Sequence, residues 1–177
     1  FFVHRVGDVS FLCGIFLAYK YFGTLEFAEL FKAAAEQPQV ISLFSGMFDI
    51  SAVTAIALLI FVGAMAKSSQ FPLHVWLPDT MDSPTPVSAL MHAGIINAGG
   101  FLLNRLAPFY TLSPNTLHIV FVIGVLTVLM GASMMLAQND IKKTLGFSTM
   151  GQMGYMIMEC GLGAFALAIF HLIAHGL

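Results

Sequence analysis

The sequence predicts an all-α integral membrane protein, a helix bundle of about six transmembrane crossings that includes one broken helix. Three observations carry this. Apolar residues make up 58% of the 177 residues and charged residues only 9%, whereas a soluble globule is roughly one quarter charged. The apolar runs approach or reach the ~20 residues that a helix needs to cross hydrocarbon, and they are too long and continuous for barrel strands. One run, Ile50 to Ala66, ends in Lys67 and meets Pro72 within five residues.

The first apolar helix covers about Val6 to Phe22, and Gly23-Thr24 ends it. Leu25 to Ala35 interleaves Leu, Phe and Ala with Glu26, Glu29 and Lys32 and runs up to Glu36, which gives one apolar and one charged face and predicts a short surface helix closed by Pro38. A mixed loop then leads to the second span, Ile50 to Ala66. Phe71 to Met81 is apolar and aromatic but contains Pro72 and Pro78, with His74, Trp76 and Asp79. Proline lacks a backbone donor and clashes with the preceding turn, so the helix is expected to break near Ser69. Pro84-Thr85-Pro86 restarts it.

The next helix is expected over about Val87 to Leu106, with His92, Asn97 and the small residues Ala98, Gly99 and Gly100, which allow close helix approach. Pro108 and Ser113-Pro114-Asn115 form a turn before the uncharged span Leu117 to Ala137, with His118 at its mouth. After polar Gln138 to Lys143, Leu145 to Leu162 is a span carrying Ser148, Thr149, Gln152 and Glu159. The last run, from Phe165, holds His171 and His175 and stops at Leu177, short of a crossing. The chain opens on Phe1 with no initiator methionine or signal peptide. It is therefore expected to be a fragment of a longer protein, with residues 1–177 forming a single piece of a transmembrane domain.

Composition and motifs exclude several functions. A net charge of −2 with no basic tract argues against nucleic acid and against an anionic-lipid surface anchor. Cys13 and Cys160 form no CxxC pair. No glycine-rich nucleotide loop, iron–sulfur cysteine cluster or nucleophile elbow is present, so the chain offers no visible redox centre and is expected to hold no cofactor. Arg5, Lys142 and Lys143 balance Lys20, Lys32 and Arg105 across the expected crossings. Loop charge therefore does not set an orientation.

An ionisable group in hydrocarbon costs at least a few kcal/mol, so polar residues inside spans are functional candidates. Lys67, His92, Glu159, His171 and His175 lie in or at the ends of spans, and Lys142 with Lys143 stand at the mouth of one. Lysine and histidine suit a proton relay because a desolvated ammonium or imidazolium can release its proton near neutral pH. Each also has a structural reading: a snorkelling lysine for Lys67, a hydrogen-bonded packing residue for His92, an interfacial group for Glu159. His171 and His175 share a helix face, but Leu172 stands where a zinc hydrolase motif needs Glu, and no metal site is expected. A broken helix also builds solute-carrier sites, which leaves that class open.

The segment Lys67-Ser68-Ser69-Gln70-Phe71-Pro72-Leu73-His74-Val75-Trp76-Leu77-Pro78-Asp79, followed by Ser83-Pro84-Thr85-Pro86 and Met91-His92-Ala93, resembles the signature of the antiporter-like membrane subunits of respiratory complex I. That family also includes subunits of multisubunit cation/proton antiporters and membrane-bound hydrogenases. Asp140-Ile141-Lys142-Lys143-Thr144-Leu145, Ser148 to Tyr155 and Phe170-His171-Leu172-Ile173-Ala174-His175 continue the resemblance. Arg5-Val6-Gly7-Asp8 is similar to the largest such subunit, subunit 5 or chain L.

The resemblance implies a proton channel of two inverted half-repeats, each with a broken helix. The chain would then be a subunit of a proton-translocating NADH:quinone oxidoreductase, in a bacterial or organellar inner membrane, with other membrane subunits and lipid as partners. Lys67 matches the lysine that pairs with a glutamate in an earlier helix, which would lie before Phe1. His92, Lys142, His171 and His175 match relay positions, and Pro72 and Pro78 the helix break. Met91 to Gly100, with Asn97 and paired glycines, looks closer to the membrane subunit of inorganic-carbon accumulators, which pair a similar channel with a soluble zinc protein. That is the nearest alternative.

Overall fold

The computed structural model describes residues 1–36, 39–43 and 48–177, most of them helical. Helix α1 (Phe2–Phe22) ends where Gly23 adopts φ 71°, a left-handed cap that glycine takes without a Cβ penalty. Helix α2 (Phe27–Glu36) buries Leu30 and Ala34 and exposes its charged face, as its period predicts. Pro38, expected to close it, lies outside the described residues. The loop expected next instead contains a two-stranded antiparallel sheet, β1 (Val40–Leu43) and β2 (Phe48–Ser51), with Val40 opposite Ser51 and Ile41 opposite Ile50. Their β-branched residues favour a pleated pairing over a loop.

Helix α3 (Ala52–Lys67) is apolar on all sides and is the centre of the molecule. A helix without a polar face must be enclosed. It packs antiparallel on α1: Gly7 faces Gly63 and Ala66, while Gly14 faces Ile60. After the break come α4 (Trp76–Asp79) and a 3-10 turn, Thr80–Asp82.

The single helix expected over Val87 to Leu106 is interrupted. It consists of α5 (Thr85–Ala93), a 3-10 turn at Ile95–Asn97 and α6 (Ala98–Arg105). Asn97 Nδ2 donates to the Ala93 carbonyl at 2.8 Å and so satisfies a backbone acceptor freed at the interruption. A short helix, α7 (Ala107–Thr111), occupies what the sequence predicts as turn.

Helices α8 (Pro114–Leu136) and α9 (Ile141–Gly161) form the most extensive helix pair. Gly124 approaches Gly154, and Gly131 approaches Gly151, closely enough that a Cβ on Gly131 would lie 2.8 Å from the Gly151 nitrogen. Asp140 caps α9 by accepting the Lys142 N–H at 2.8 Å, which brings Lys142 and Lys143 into its first turn. Gly163, at φ 77°, turns the chain into α10 (Phe165–Gly176).

Among the described residues, three stretches are long and apolar enough to cross a membrane: Phe2–Phe22, Thr85–Arg105 and Pro114–Leu136. Helices α3 and α10 are apolar but shorter. Helix α9 has the length of a crossing, yet its lysines, Gln152 and Glu159 dilute its hydropathy. Ten of its residues are buried against the rest of the bundle, so it depends on protein rather than lipid for its surroundings.

Candidate functional site

Helix α3 stops at Lys67, five residues before Pro72, whose ring a continued helix would drive into its own backbone. In such a helix the ring meets the carbonyl of Ser68, and Ser68 is the residue that ends α3. Ser69 follows at φ 52°, a left-handed conformation uncommon for a residue with a Cβ. Ser68, Ser69 and Gln70 are nonetheless fully buried. Their neighbourhood is hydrogen-bonded by other elements, as buried backbone requires. Thr127 Oγ1 on α8 accepts the Phe71 N–H at 3.0 Å, Ser69 Oγ donates to the His74 carbonyl at 3.2 Å, and Trp76 Nε1 donates to the Ala66 carbonyl at 2.9 Å. Pro78 lies inside α4, in a first turn where its missing N–H costs nothing, so it shapes the restart after the break.

At the break, Lys67 Nζ lies 3.0 Å from Asp8 Oδ1 on α1, and the other carboxylate oxygen takes Arg5 at 3.2 Å. Gly7 makes this possible. A side chain there would run into Ala66 and push α1 away from the end of α3. Asp8, Lys67, Gly63 and Gly99 line a cavity of about 150 Å³. Its floor is tied to the break, since Gly99 N–H donates to Ser68 Oγ at 3.0 Å. His4, one turn before Asp8, lies with its ring 4.5 Å from that of Trp76 and links α1 to the far side of the break.

His92 and Lys142 come together elsewhere. With Ser88, Leu145 and Thr149 they line a second cavity of about 280 Å³ between α5 and α9. His92 Nδ1 is buried without a partner among the described residues. His171 is held by α9, with Nε2 3.0 Å from Gln152 Oε1 and Nδ1 3.1 Å from Glu159 Oε1. His175, one turn on, lies within electrostatic reach of both His171 and His92. The five residues singled out in the sequence therefore fall into three neighbouring groups: Lys67 with Asp8, His92 with Lys142, and His171 with His175.

A family model described as NADH:quinone oxidoreductase/Mrp antiporter, TM, matches residues 1–177. The chain belongs to that family. Within it, the chain is 55% identical to a protein of Halothiobacillus neapolitanus named "Probable inorganic carbon transporter subunit DabB1", over 100% of this chain and 31% of the relative. It is 47% identical to the chloroplastic NAD(P)H-quinone oxidoreductase subunit 5 of Lotus japonicus, over 99% of this chain and 23% of that protein. The chain spans less than a third of the length of these curated relatives. Its fold resembles a chain of the membrane-bound sulfane sulfur reductase, an archaeal respiratory membrane complex, at TM-score 0.83 and 24% identity, covering 98% of this chain and 35% of that one. The antiporter-family resemblance drawn from Lys67 to Asp79 therefore holds, and the chain is an all-α, integral membrane member of the family.

Sequence reasoning missed two members of these groups. The resemblance places a glutamate partner of Lys67 in a helix before Phe1, and it did not foresee that within the described residues Asp8 also contacts Lys67, at 3.0 Å. The available signal was Arg5-Val6-Gly7-Asp8 itself, in which a glycine that permits close packing precedes a carboxylate inside an apolar helix. Gln152 was noted only as a polar residue of its span, although it shares a helix face with Glu159, seven residues on.

Proposed function

We propose that the intact protein moves protons across the membrane, with Lys67 as the carrying group. The observation that carries this is the Asp8–Lys67 ion pair at a helix break, beside a cavity. An ammonium held against a carboxylate keeps its proton, and one separated from it in a dehydrated setting releases it. A break with a fixed polar backbone gives the pair a place where both arrangements can exist. His92 with Lys142, and His171 with His175, extend the polar groups away from the break as relay positions.

No redox motif is visible in this sequence, and on this reading the assembly supplies the driving reaction. One reading is a subunit of a complex I-like NADH:quinone oxidoreductase in a bacterial or organellar inner membrane, among other membrane subunits. The other is the channel of an inorganic-carbon accumulating complex with a soluble zinc protein. It is supported by the 55% identity to the Halothiobacillus relative and by the Asn97–Gly100 departure at the α5–α6 interruption. Proton flux into vesicles containing the purified full-length assembly tests transport, and its absence under a driving reaction would refute it. Co-purification with redox subunits or with a zinc protein separates the two assemblies.

A further inference from the structure

We propose that Glu159 and His171 form a proton-holding dyad, fixed by Gln152, within the proton line described above. The proposal rests on that transport reading and adds a residue, Glu159, with a defined chemical task. Gln152 and Glu159 lie two turns apart on one face of α9, and α10 lays the His171 ring between them. Both ring nitrogens are engaged, at 3.0 Å and 3.1 Å, and both partner atoms are oxygens.

The donor count limits what this cluster can be. A neutral imidazole has one N–H and one lone pair. With Nε2–H donating to the Gln152 carbonyl oxygen, the contact between Nδ1 and Glu159 Oε1 still needs one proton. It is met by an imidazolium donating to a carboxylate, or by a carboxylic acid donating to a neutral ring. Both forms hold the same single proton and neither carries net charge. An inverted Gln152 amide would leave a neutral ring donating to a carboxylate, a net negative pair in a setting where the His171 and Glu159 side chains are only 17% and 14% exposed. Burying an uncompensated charge is unfavourable, which favours the neutral forms.

The dyad also has room to exchange. Among the described residues, Glu159 Oε2 is buried with no partner, and so is His175 Nδ1. A proton arriving at Oε2 makes the pair singly positive, and release of one proton from the ring to a neutral acceptor returns it to neutral. Among the described residues, the titratable groups near the dyad include His175 on the same helix and Cys160 beside Glu159 on α9, and His92 on α5 lies in turn near His175. From α6, Asn104 Nδ2 lies 3.5 Å from Cys160 Sγ. Gln152 in turn lines a cavity of about 220 Å³ with Ser148 and Tyr155 between α8 and α9, which brings space for water to the imidazole's fixed side.

The test uses the full-length protein in its assembled complex, reconstituted in vesicles. Proton flux per complex is measured for wild type, Glu159→Gln, Glu159→Ala and Lys67→Ala, and infrared and ¹⁵N-histidine spectra follow the carboxyl and imidazole signals across pH. Glutamine keeps the size and can still hydrogen-bond Nδ1, so a packing role predicts unchanged flux, whereas the dyad predicts a fall of about tenfold or more. In wild type a carboxyl band and the His171 signal should titrate together, and Glu159→Gln should remove that band. Wild-type flux in Glu159→Gln overturns the dyad, and so does a flux loss with no carboxyl signal coupled to His171. Absence of flux in wild type under a driving reaction overturns the transport reading instead, flux retained in Lys67→Ala removes only Lys67 as its carrier, and in either case the coupled titration decides the dyad on its own.

Discussion

Lys67 Nζ and Asp8 Oδ1 are 3.0 Å apart, although 59 positions separate them in the chain. The pair forms at the C-terminal end of α3, where Lys67 is the one charged residue of an otherwise almost wholly apolar helix. Arg5 holds the second carboxylate oxygen. The carboxylate therefore has two cationic partners, and Lys67 can leave it without stranding an unpaired anion.

Lys67→Ala in the intact protein is expected to reduce proton flux to background while the complex still assembles, because it removes a carrier and little packing. Lys67→Arg should fail equally, since a guanidinium stays protonated at any working pH and cannot cycle. Vesicle flux assays normalised to assembled complex check both, and full pumping by either variant would remove Lys67 from the carrier role.

Asp8→Asn keeps the shape of the side chain and removes its charge. The expected outcome is a clear loss of flux with little change in thermal stability, because the pair is partly exposed and such pairs contribute little to folding. Melting curves and flux measured on the same preparation distinguish this from simple misfolding.

Gly99→Ala tests the coupling between the cavity and the break. The added Cβ would run into Ser68 Oγ and lie 2.8 Å from the Ala64 carbonyl oxygen. Overpacking of this kind costs about 1–3 kcal/mol, and here it displaces the residue that caps α3. Gly151→Ala is the control, since a Cβ there meets nothing within 4 Å. Thermal denaturation should separate the two, with only Gly99→Ala destabilised.

His92 distinguishes a relay from a packing residue. Glutamine keeps much of its size and hydrogen bonding but takes up no proton near neutral pH, whereas alanine removes both properties. Equal loss of flux in His92→Gln and His92→Ala is expected if the cavity shared with Lys142 carries protons. Near-normal flux with glutamine would show that the side chain only fills its place.

Composition and apolar run length alone determined the all-α membrane class, because lipid offers the backbone no partner outside helices. The break after Lys67 was legible for a similar reason: Pro72 forbids a continued helix whatever surrounds it. Gly23 and the amphipathic α2 were equally local. The strand pairing of β1 with β2, the interruption at Gly94 to Asn97 and the short α7 were not legible, since each depends on neighbours that satisfy or displace backbone groups. Side-chain partnerships were decided by tertiary structure. Asp8 meets Lys67 because Gly7 lets α1 close on Ala66, and Glu159 meets His171 because Gly163 folds α10 back along α9. Sequence fixes which residues can bear a proton, but contacts at 3 Å require helix crossings and register that no local pattern encodes.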